Sequence, residues 1–467
     1  MNRIILFLIV ATAVIFSFYS PLGDFTATPK FWRDEAIPFE IARTFLELGK
    51  LDVVVEPGIV DGRPYLSHAT GFTMTIPLAG FFSIFGIGVL QARIFMIVWI
   101  FITLLTLFLI LKSFFGTQKA AVGTLLVSTF TSFYANGKTF TGEIPGFFFL
   151  LLGIYMLYKK KNYVLAGVFM GLCAITKPSV FLLILPVVAL EFLISERRLC
   201  FKHGFKFVLG AIPIMLLWII IILPQPFSIE SWQGMIDLYR HPFNEASLLS
   251  HFPDAIIDLV KHTTIIYFAI LAGILGLAYR KGAFTGDDKR LMKFVFLYSI
   301  AAAVYFLRSP GWIRYLLIFE VLALATVFPA IDFFAKKIKI KSASVMIAGV
   351  LVLLHTVNFF FISNIPSSDA SIKTADFINN EILAKDKDAT VGFIYMSPVA
   401  ALISPWNKYQ INTIGGKETY GKHPLSFKAE KLPTYIVGYN GEYEEVLKQY
   451  YEFFTIAPGE HTIYKKK

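Results

Sequence analysis

Charge is what this sequence has least of. Of its 467 residues 16% are charged and 56% hydrophobic, against about 25% charged and 45–50% apolar in a soluble domain. A water-soluble enzyme is thereby excluded. Cysteine is almost missing as well. Cys173 and Cys200 are the only two, too few for a disulfide-stapled scaffold. Glycine (32) and proline (22) are ordinary in number and show no period, which removes collagen-like and disordered chains. No zinc spacing, phosphate-binding glycine loop, dinucleotide fingerprint or nucleophile elbow occurs, and no internal repeat or low-complexity stretch.

Apolar sequence is what the chain has in abundance. A helix that spans a bilayer needs about 20 mostly apolar residues. Eleven windows of that kind lie near 4–20, 91–111, 120–136, 145–158, 163–177, 178–195, 207–224, 263–279, 291–307, 313–335 and 342–362. The expected fold is a multi-pass α-helical membrane protein of about 11 transmembrane helices. The N-terminal window has no small-residue cleavage pattern before Pro21, so it is expected to be an uncleaved anchor.

Basic residues orient the chain, because Lys and Arg of short loops stay cytoplasmic. With the N-terminus inside, the inner loops collect Arg3, Lys112, Lys119, Lys159–Lys161, Arg197, Arg198, Lys202, Lys206, Arg280, Lys281, Lys289, Arg290, Lys293, Lys336, Lys337, Lys339 and Lys341. That is 19 of the 31 basic residues before position 363. The remainder from 363 holds 12 Lys and 12 Asp plus Glu. The net +11 therefore belongs wholly to the first part, as 31 basic minus 20 acidic residues. It is a topology signal, and nucleic acid is not an expected partner.

Two domains are expected: a membrane domain over 1–362 and a soluble extracytoplasmic α/β domain over 363–467. The latter combines short β-rich runs, Ala389–Tyr395 and Thr434–Gly438, with helical patterns at 369–384 and 441–454.

Residues 21–90 form a first outer loop long enough to carry function. It contains Asp34-Glu35, then a segment with Ile37, Ile41, Phe45 and Leu48 on one face and Glu40, Arg43 and Glu47 mostly off it. This spacing predicts an amphipathic helix in the membrane interface. With Pro38 at the first helical position, Asp34 and Glu35 would sit just before the helix start, at the positive end of its dipole. The uncharged stretch 71–86 contains Pro77 and Gly80. Crossing there would move Lys159–Lys161 and the 197–206 cluster outside, so a re-entrant or juxtamembrane helix is expected.

Trp32-Arg33-Asp34-Glu35 before a helix ending in Gly49, Arg63-Pro-Tyr-Leu-Ser-His68, Ala92-Arg93, Glu143-Ile-Pro145, Thr176-Lys177-Pro178 and Arg314-Tyr315 together resemble GT-C glycosyltransferases. Within that superfamily the similarity is to the protein O-mannosyltransferase and aminoarabinose transferase group. It covers roughly residues 1–200 and, more weakly, 291–330. One departure is Ala69-Thr70, where the family often carries Pro-Pro.

The resemblance implies transfer of one sugar from a polyprenyl-phosphate donor to a lipid, glycan or protein acceptor at the outer face of the membrane. The acceptor needs a general base and the leaving phosphate needs cations. Asp34 matches the family's catalytic aspartate, Glu35 would support it, and Glu143 matches the second acidic position. Outer basic residues are scarce: Lys30, Arg33, Arg43, Lys50, Arg63, Arg93, Lys138, Lys177, Arg240, Lys261, Arg308 and Arg314. Among these, Lys177, Arg308, Arg314 and Arg63 are candidates for phosphate, with His68 for phosphate or substrate. Trp32, Tyr65, Trp312 and Tyr315 could stack on a sugar ring. A divalent cation between Asp34 and Glu143 is an open alternative to base catalysis. The segment 226–262 is expected to form one or two amphipathic outer helices that cover the site or receive the acceptor. A transporter or flippase is the alternative class and predicts matched inverted halves with mid-membrane charges. A non-catalytic sensor or assembly protein would place the work in the soluble tail.

Overall fold

A computed structural model describes residues 2–68, 70–195, 200–225, 228–240, 250–261, 263–309, 312–338, 342–393, 397–410, 432–438, 450–459 and 461–467. Among them, six helical stretches are long and apolar enough to cross a bilayer: Val89–Phe115, Pro178–Ser195, Phe201–Ile222, Gly286–Arg308, Ile313–Lys337 and Ala343–Ile362. The chain is an integral membrane protein. The other sequence windows fall on shorter helices, such as Arg3–Phe18, Tyr163–Thr176 and Thr264–Arg280. Ile313–Lys337 is the central stretch, with 83% of its span buried, whereas Ala343–Ile362 is 17% buried and lies at the periphery.

The window 120–136 is two helices, Thr117–Ser128 and Thr131–Gly137. Hydroxyl groups cluster at the break. Ser128 donates to the Leu125 carbonyl at 3.0 Å, and Thr129 donates to the carbonyls of Leu125 and Leu126 at 3.1 and 3.2 Å. Side chains thus take acceptors that backbone amides would otherwise use. The uncharged stretch 71–86 forms the helix Phe72–Phe85 of 14 residues. At about 1.5 Å per residue it is shorter than the roughly 30 Å hydrocarbon core.

The Arg33–Leu48 helix differs from the sequence expectation in two respects. It begins at Arg33, so Asp34 and Glu35 lie within its first turn and Pro38 lies inside it. Extended Trp32 starts the helix by offering its carbonyl to the amide of Ala36 at 2.9 Å. The Pro38 nitrogen has no hydrogen to offer the Asp34 carbonyl. Nor are its polar residues all in solvent: Glu35 and Glu40 are each 1% exposed, whereas Arg33 and Glu47 are exposed. Its apolar residues Ala36, Phe39 and Ala42 pack with Met74, Leu78 and Phe82 of the Phe72–Phe85 helix.

Among the described residues seven strands form two sheets. β1 (Val54–Glu56) and β2 (Ile59–Val60) make a small antiparallel hairpin within the long loop. β3 (Val391–Phe393), β4 (Lys408–Gln410), β5 (Tyr435–Gly438), β6 (Tyr451–Ile456) and β7 (Thr462–Lys466) form a mixed sheet in the order β4-β3-β5-β7-β6. β3 is parallel to β4 and β5, and β7 is antiparallel to β5 and β6. The 369–384 pattern is the helix Ala370–Phe377 with a continuing wide turn, Ile378–Leu383. The predicted helix 441–454 ends instead in β6, and residues 441–449 lie outside the described residues. Tyr451-Glu-Phe-Phe-Thr-Ile456 is rich in aromatic and β-branched side chains and finds a partner in β7.

The mixed sheet region rests on the long loop. The Lys30 amide donates to the Pro366 carbonyl at 2.7 Å, the Ser368 amide to Ala27 at 3.0 Å, and the Gly58 amide to Pro405 at 2.9 Å. The Arg33–Leu48 helix therefore lies between this region and the membrane helices.

Candidate active site

Three loops converge to build the site. The Gly71 amide donates to the Thr176 carbonyl at 3.0 Å, and Thr70 donates to the Thr141 carbonyl at 3.1 Å. Approach is close enough that a Cβ on Gly71 would lie 1.9 Å from the Ile175 carbonyl oxygen. Gly142, with φ +93°, is equally required, because a Cβ there would meet the Thr176 oxygen at 2.9 Å. This packing places Glu143, the first residue of the Glu143–Tyr155 helix, beside Lys177. Lys177 caps the Tyr163–Thr176 helix, and Pro178 starts the next turn.

A cavity of about 410 Å³ opens against these loops. Asp34, His68, Lys177, Arg308, Arg314 and Tyr315 all line it. So do Arg33, Tyr65, Ser67, Ser179, Tyr239, Tyr305 and Trp312, above an apolar patch of Ile37, Pro38, Leu182 and Leu183. The wall thus carries four cations and one carboxylate, a charge balance that selects for an anion.

Arg314 is the hub. Its Nη1 donates to Asp34 Oδ2 at 2.6 Å, and its guanidinium carbon lies 5.2, 4.8 and 5.7 Å from the ring centres of Trp32, Trp312 and Tyr315. Aromatic faces hold the planar cation, which also hydrogen-bonds the Tyr315 side chain. Lys177 is 3% exposed and lies within electrostatic reach of Glu143, Asp34 and Arg314. Arg308 donates through Nη2 to the Arg240 carbonyl at 2.7 Å. That bond ties the end of the Gly286–Arg308 helix to the Ile229–Arg240 helix, which with Phe252–Lys261 realises the expected amphipathic segment. Residues 241–249 and Pro310-Gly311 lie outside the described residues.

Glu143 does not itself line the cavity. Both its carboxylate oxygens are buried without a hydrogen-bond partner among the described residues. A buried carboxylate left in that state is costly. His68 is 1% exposed, and its Nε2 lies 2.9 Å from the Leu51 carbonyl. A carbonyl only accepts, so Nε2 carries the proton and Nδ1, unpartnered among the described residues, is left as an acceptor. Burial lowers the His68 pKa, against the Leu51 hydrogen bond, and keeps the ring neutral.

Glu35 and Arg63 are not brought into this wall. Arg93 grips Glu35 with Nη1 to Oε1 at 2.7 Å and Nη2 to Oε2 at 2.9 Å. The Phe140 amide adds a contact at 3.2 Å. Arg93 also donates to the carbonyls of Lys138 (2.5 Å) and Pro29 (2.7 Å). Burial raises the Glu35 carboxyl to about 7 against the pull of Arg93 and the Phe140 amide. Arg63 instead pairs with Asp61 at 2.8 Å.

Sequence reasoning missed Asp52, which staples the long loop. Its Oδ1 accepts from the Val53 amide at 2.8 Å and its Oδ2 from the Gly62 amide at 2.7 Å. Burial pushes this carboxyl up to about 7, opposed by those amides and reinforced by Asp61 and Glu40. Among the described residues no group of three or more His, Cys, Asp or Glu comes together that could hold a metal ion. A cation between Asp34 and Glu143 would share its space with Lys177 and Arg314.

Residues 73–223 match the family model described as dolichyl-phosphate-mannose-protein mannosyltransferase. Two crystal structures of ArnT from Cupriavidus metallidurans, one bound to undecaprenyl phosphate and one in the apo state, align with TM-scores of 0.61 and 0.64. Each is 13% identical and covers 98% of this chain and 97% of its own. The Archaeoglobus fulgidus oligosaccharyltransferase in the apo form aligns with a TM-score of 0.57 at 12% identity, over 99% of this chain and 74% of that one. No curated protein matches the chain by sequence. The chain has the GT-C fold, and the protein O-mannosyltransferase and ArnT group is what it resembles.

Proposed function

We propose that this protein transfers a single hexosyl or pentosyl unit from a polyprenyl-phosphate donor to a lipid, glycan or protein acceptor at the extracytoplasmic face, with inversion. The observation that carries the reading is the cavity wall, where one carboxylate, Asp34, faces Arg33, Lys177, Arg308 and Arg314. Its volume falls in the range of about 300–1,000 Å³ usual for small-molecule sites. The basic inner loops support a cytoplasmic N-terminus, with the long first loop and the C-terminal domain from residue 363 outside.

In this reaction an oxygen of the acceptor attacks the anomeric carbon, and Asp34 takes the acceptor's proton. The bond from that carbon to the phosphate oxygen breaks, and polyprenyl phosphate leaves with both electrons of the bond. Lys177 and the guanidinium forks of Arg314 and Arg308 stabilise the charge on the departing phosphate. Glu143, behind the cavity wall, balances the charge of Lys177. Neutral His68 offers Nδ1 to a hydroxyl, a role better suited to a sugar or acceptor than to phosphate. Tyr315 and Trp312 flank the sugar, and the apolar patch takes the first prenyl units. Glu35 and Arg63 act at a distance, through the helix and loop they fix. No step uses a metal ion.

The test is reconstitution in vesicles with a panel of undecaprenyl-phosphate monosaccharides, measuring release of undecaprenyl phosphate. Acceptor-dependent release with one donor supports the reading, and no release with any donor contradicts it. Lipid-linked sugars in cells with and without the gene identify the natural donor, which should accumulate in the absence of the protein.

A further inference from the structure

The helix that carries Asp34 has a second charged contact, on the side away from the cavity. Arg33, Asp34, Ile37 and Pro38 face the cavity. At about 100° per residue, Glu40 is turned roughly 120° from Asp34 and Arg43 roughly 180°. Both point to the C-terminal region. Lys408 of β4 pairs with Glu40 Oε1, and the two side chains are each 2% exposed. The same oxygen accepts the Val54 amide of β1 at 2.8 Å. Arg43 reaches the Ala401 carbonyl at 3.5 Å.

One carboxylate oxygen thus gathers a helix, a loop hairpin and the edge strand of a separate sheet. A buried pair of this kind adds little net stability, since desolvation offsets attraction, but removing one partner strands the other. Its geometric consequence is larger. Two ion pairs on the Arg33–Leu48 helix anchor it to parts of the chain outside the cavity: Glu35 to the Val89–Phe115 helix and Glu40 to the C-terminal sheet.

We infer that Lys408 is a positioning residue, through which the C-terminal sheet holds the Arg33–Leu48 helix so that Asp34 meets Arg314. The inference rests on Asp34 being the base, and it gives the C-terminal sheet a part in the reaction. Lys408 touches no substrate. Its loss acts through Glu40, which either drags the helix toward solvent or takes up a proton, and Asp34 then loses its alignment with Arg314.

The test uses the full-length protein in vesicles and two readouts. The first is independent of any donor: modification of Asp34 by dicyclohexylcarbodiimide, followed by mass spectrometry, with exposed Asp386 as the internal control. Lys408→Met should accelerate labelling of Asp34 several-fold and leave Asp386 unchanged. The second is turnover of undecaprenyl-phosphate sugar: kcat should fall by up to about 100-fold, the cost of an ångström-scale misplacement, while KM moves little. The paired variant Glu40→Gln with Lys408→Met, which leaves no buried charge, should restore both readouts. If Lys408→Met does not purify as a monodisperse protein, Lys408→Gln, which removes the charge but can keep a hydrogen bond to Glu40, should shift both readouts in the same direction by a smaller factor, and no shift would overturn the inference. Wild-type labelling and wild-type kcat in the single variant would overturn the inference and leave the proposed function standing. Faster labelling in the single variant, with no sugar released by the wild type, would contradict the proposed function alone.

Discussion

Asp34 and Arg314 are separated by 280 positions in sequence and meet at 2.6 Å in the cavity wall. The guanidinium that would receive the leaving phosphate therefore also aims the carboxylate that would take the acceptor's proton. Arg314→Lys keeps a charge but loses the fork and the stacking on Trp32, Trp312 and Tyr315. Its kcat/KM for the donor should fall about 10- to 100-fold, equal to roughly 1.4–2.7 kcal/mol of transition-state stabilisation. Steady-state kinetics with the preferred undecaprenyl-phosphate sugar checks this, and unchanged kcat/KM would remove Arg314 from the site.

Glu35 and Arg93 form a buried ion pair outside the cavity, and we expect their part to be structural. Arg93→Met leaves Glu35 buried without its partner and should cost about 3–5 kcal/mol. Replacing both by Gln and Met should recover most of the loss. Thermal unfolding in detergent reads both variants, and equal stability of the single variant and the wild type would contradict the assignment.

Asp52 should make stability depend on pH. Its folded carboxyl titrates near 7, above the roughly 3.9 of an unfolded Asp, so the folded chain holds the proton more tightly. The contribution is complete below about pH 4 and is lost as pH rises toward 7, amounting to about 1–3 kcal/mol between pH 5 and 7. Asp52→Asn should flatten the profile in that window, at the cost of about 1 kcal/mol for one of the two amide contacts. Parallel profiles for the wild type and the variant would refute it.

Glu143 separates function from stability. Its two oxygens have no hydrogen-bond partner among the described residues, so Glu143→Gln removes a buried charge and keeps the shape. Activity should fall about 100-fold as Lys177 loses its counter-charge, while the melting temperature changes little, because the desolvation relieved at Glu143 offsets the charge left on Lys177. A large drop in melting temperature with retained turnover would make Glu143 structural.

Much of this was legible in the sequence. Of the eleven windows read from hydropathy, six coincide with helical stretches long enough to cross a bilayer, because lipid demands continuous apolar runs. Asp34, Lys177, Arg308, Arg314, His68 and Tyr315 were named from the family resemblance and from the short list of outer basic residues, and the fold brings them to one cavity. What stayed hidden were the partners. Glu35 sits next to Asp34 in sequence, but helix geometry turns neighbouring side chains about 100° apart, and Arg93 claims it. Glu40 read as a solvent-facing residue of an amphipathic helix, because the sheet that covers it begins more than three hundred residues later. Asp52 lies in a loop with no periodicity to mark it as buried.

The central claim is that Asp34 is the base. Acceptor-dependent release of undecaprenyl phosphate should be measured in vesicles for the wild type, Asp34→Asn and Asp34→Ala, alongside binding of undecaprenyl phosphate alone. Both variants should lose activity by about 100- to 10,000-fold while still binding the lipid phosphate through Lys177 and Arg314. Full transfer activity in either variant, at normal expression, would contradict the account.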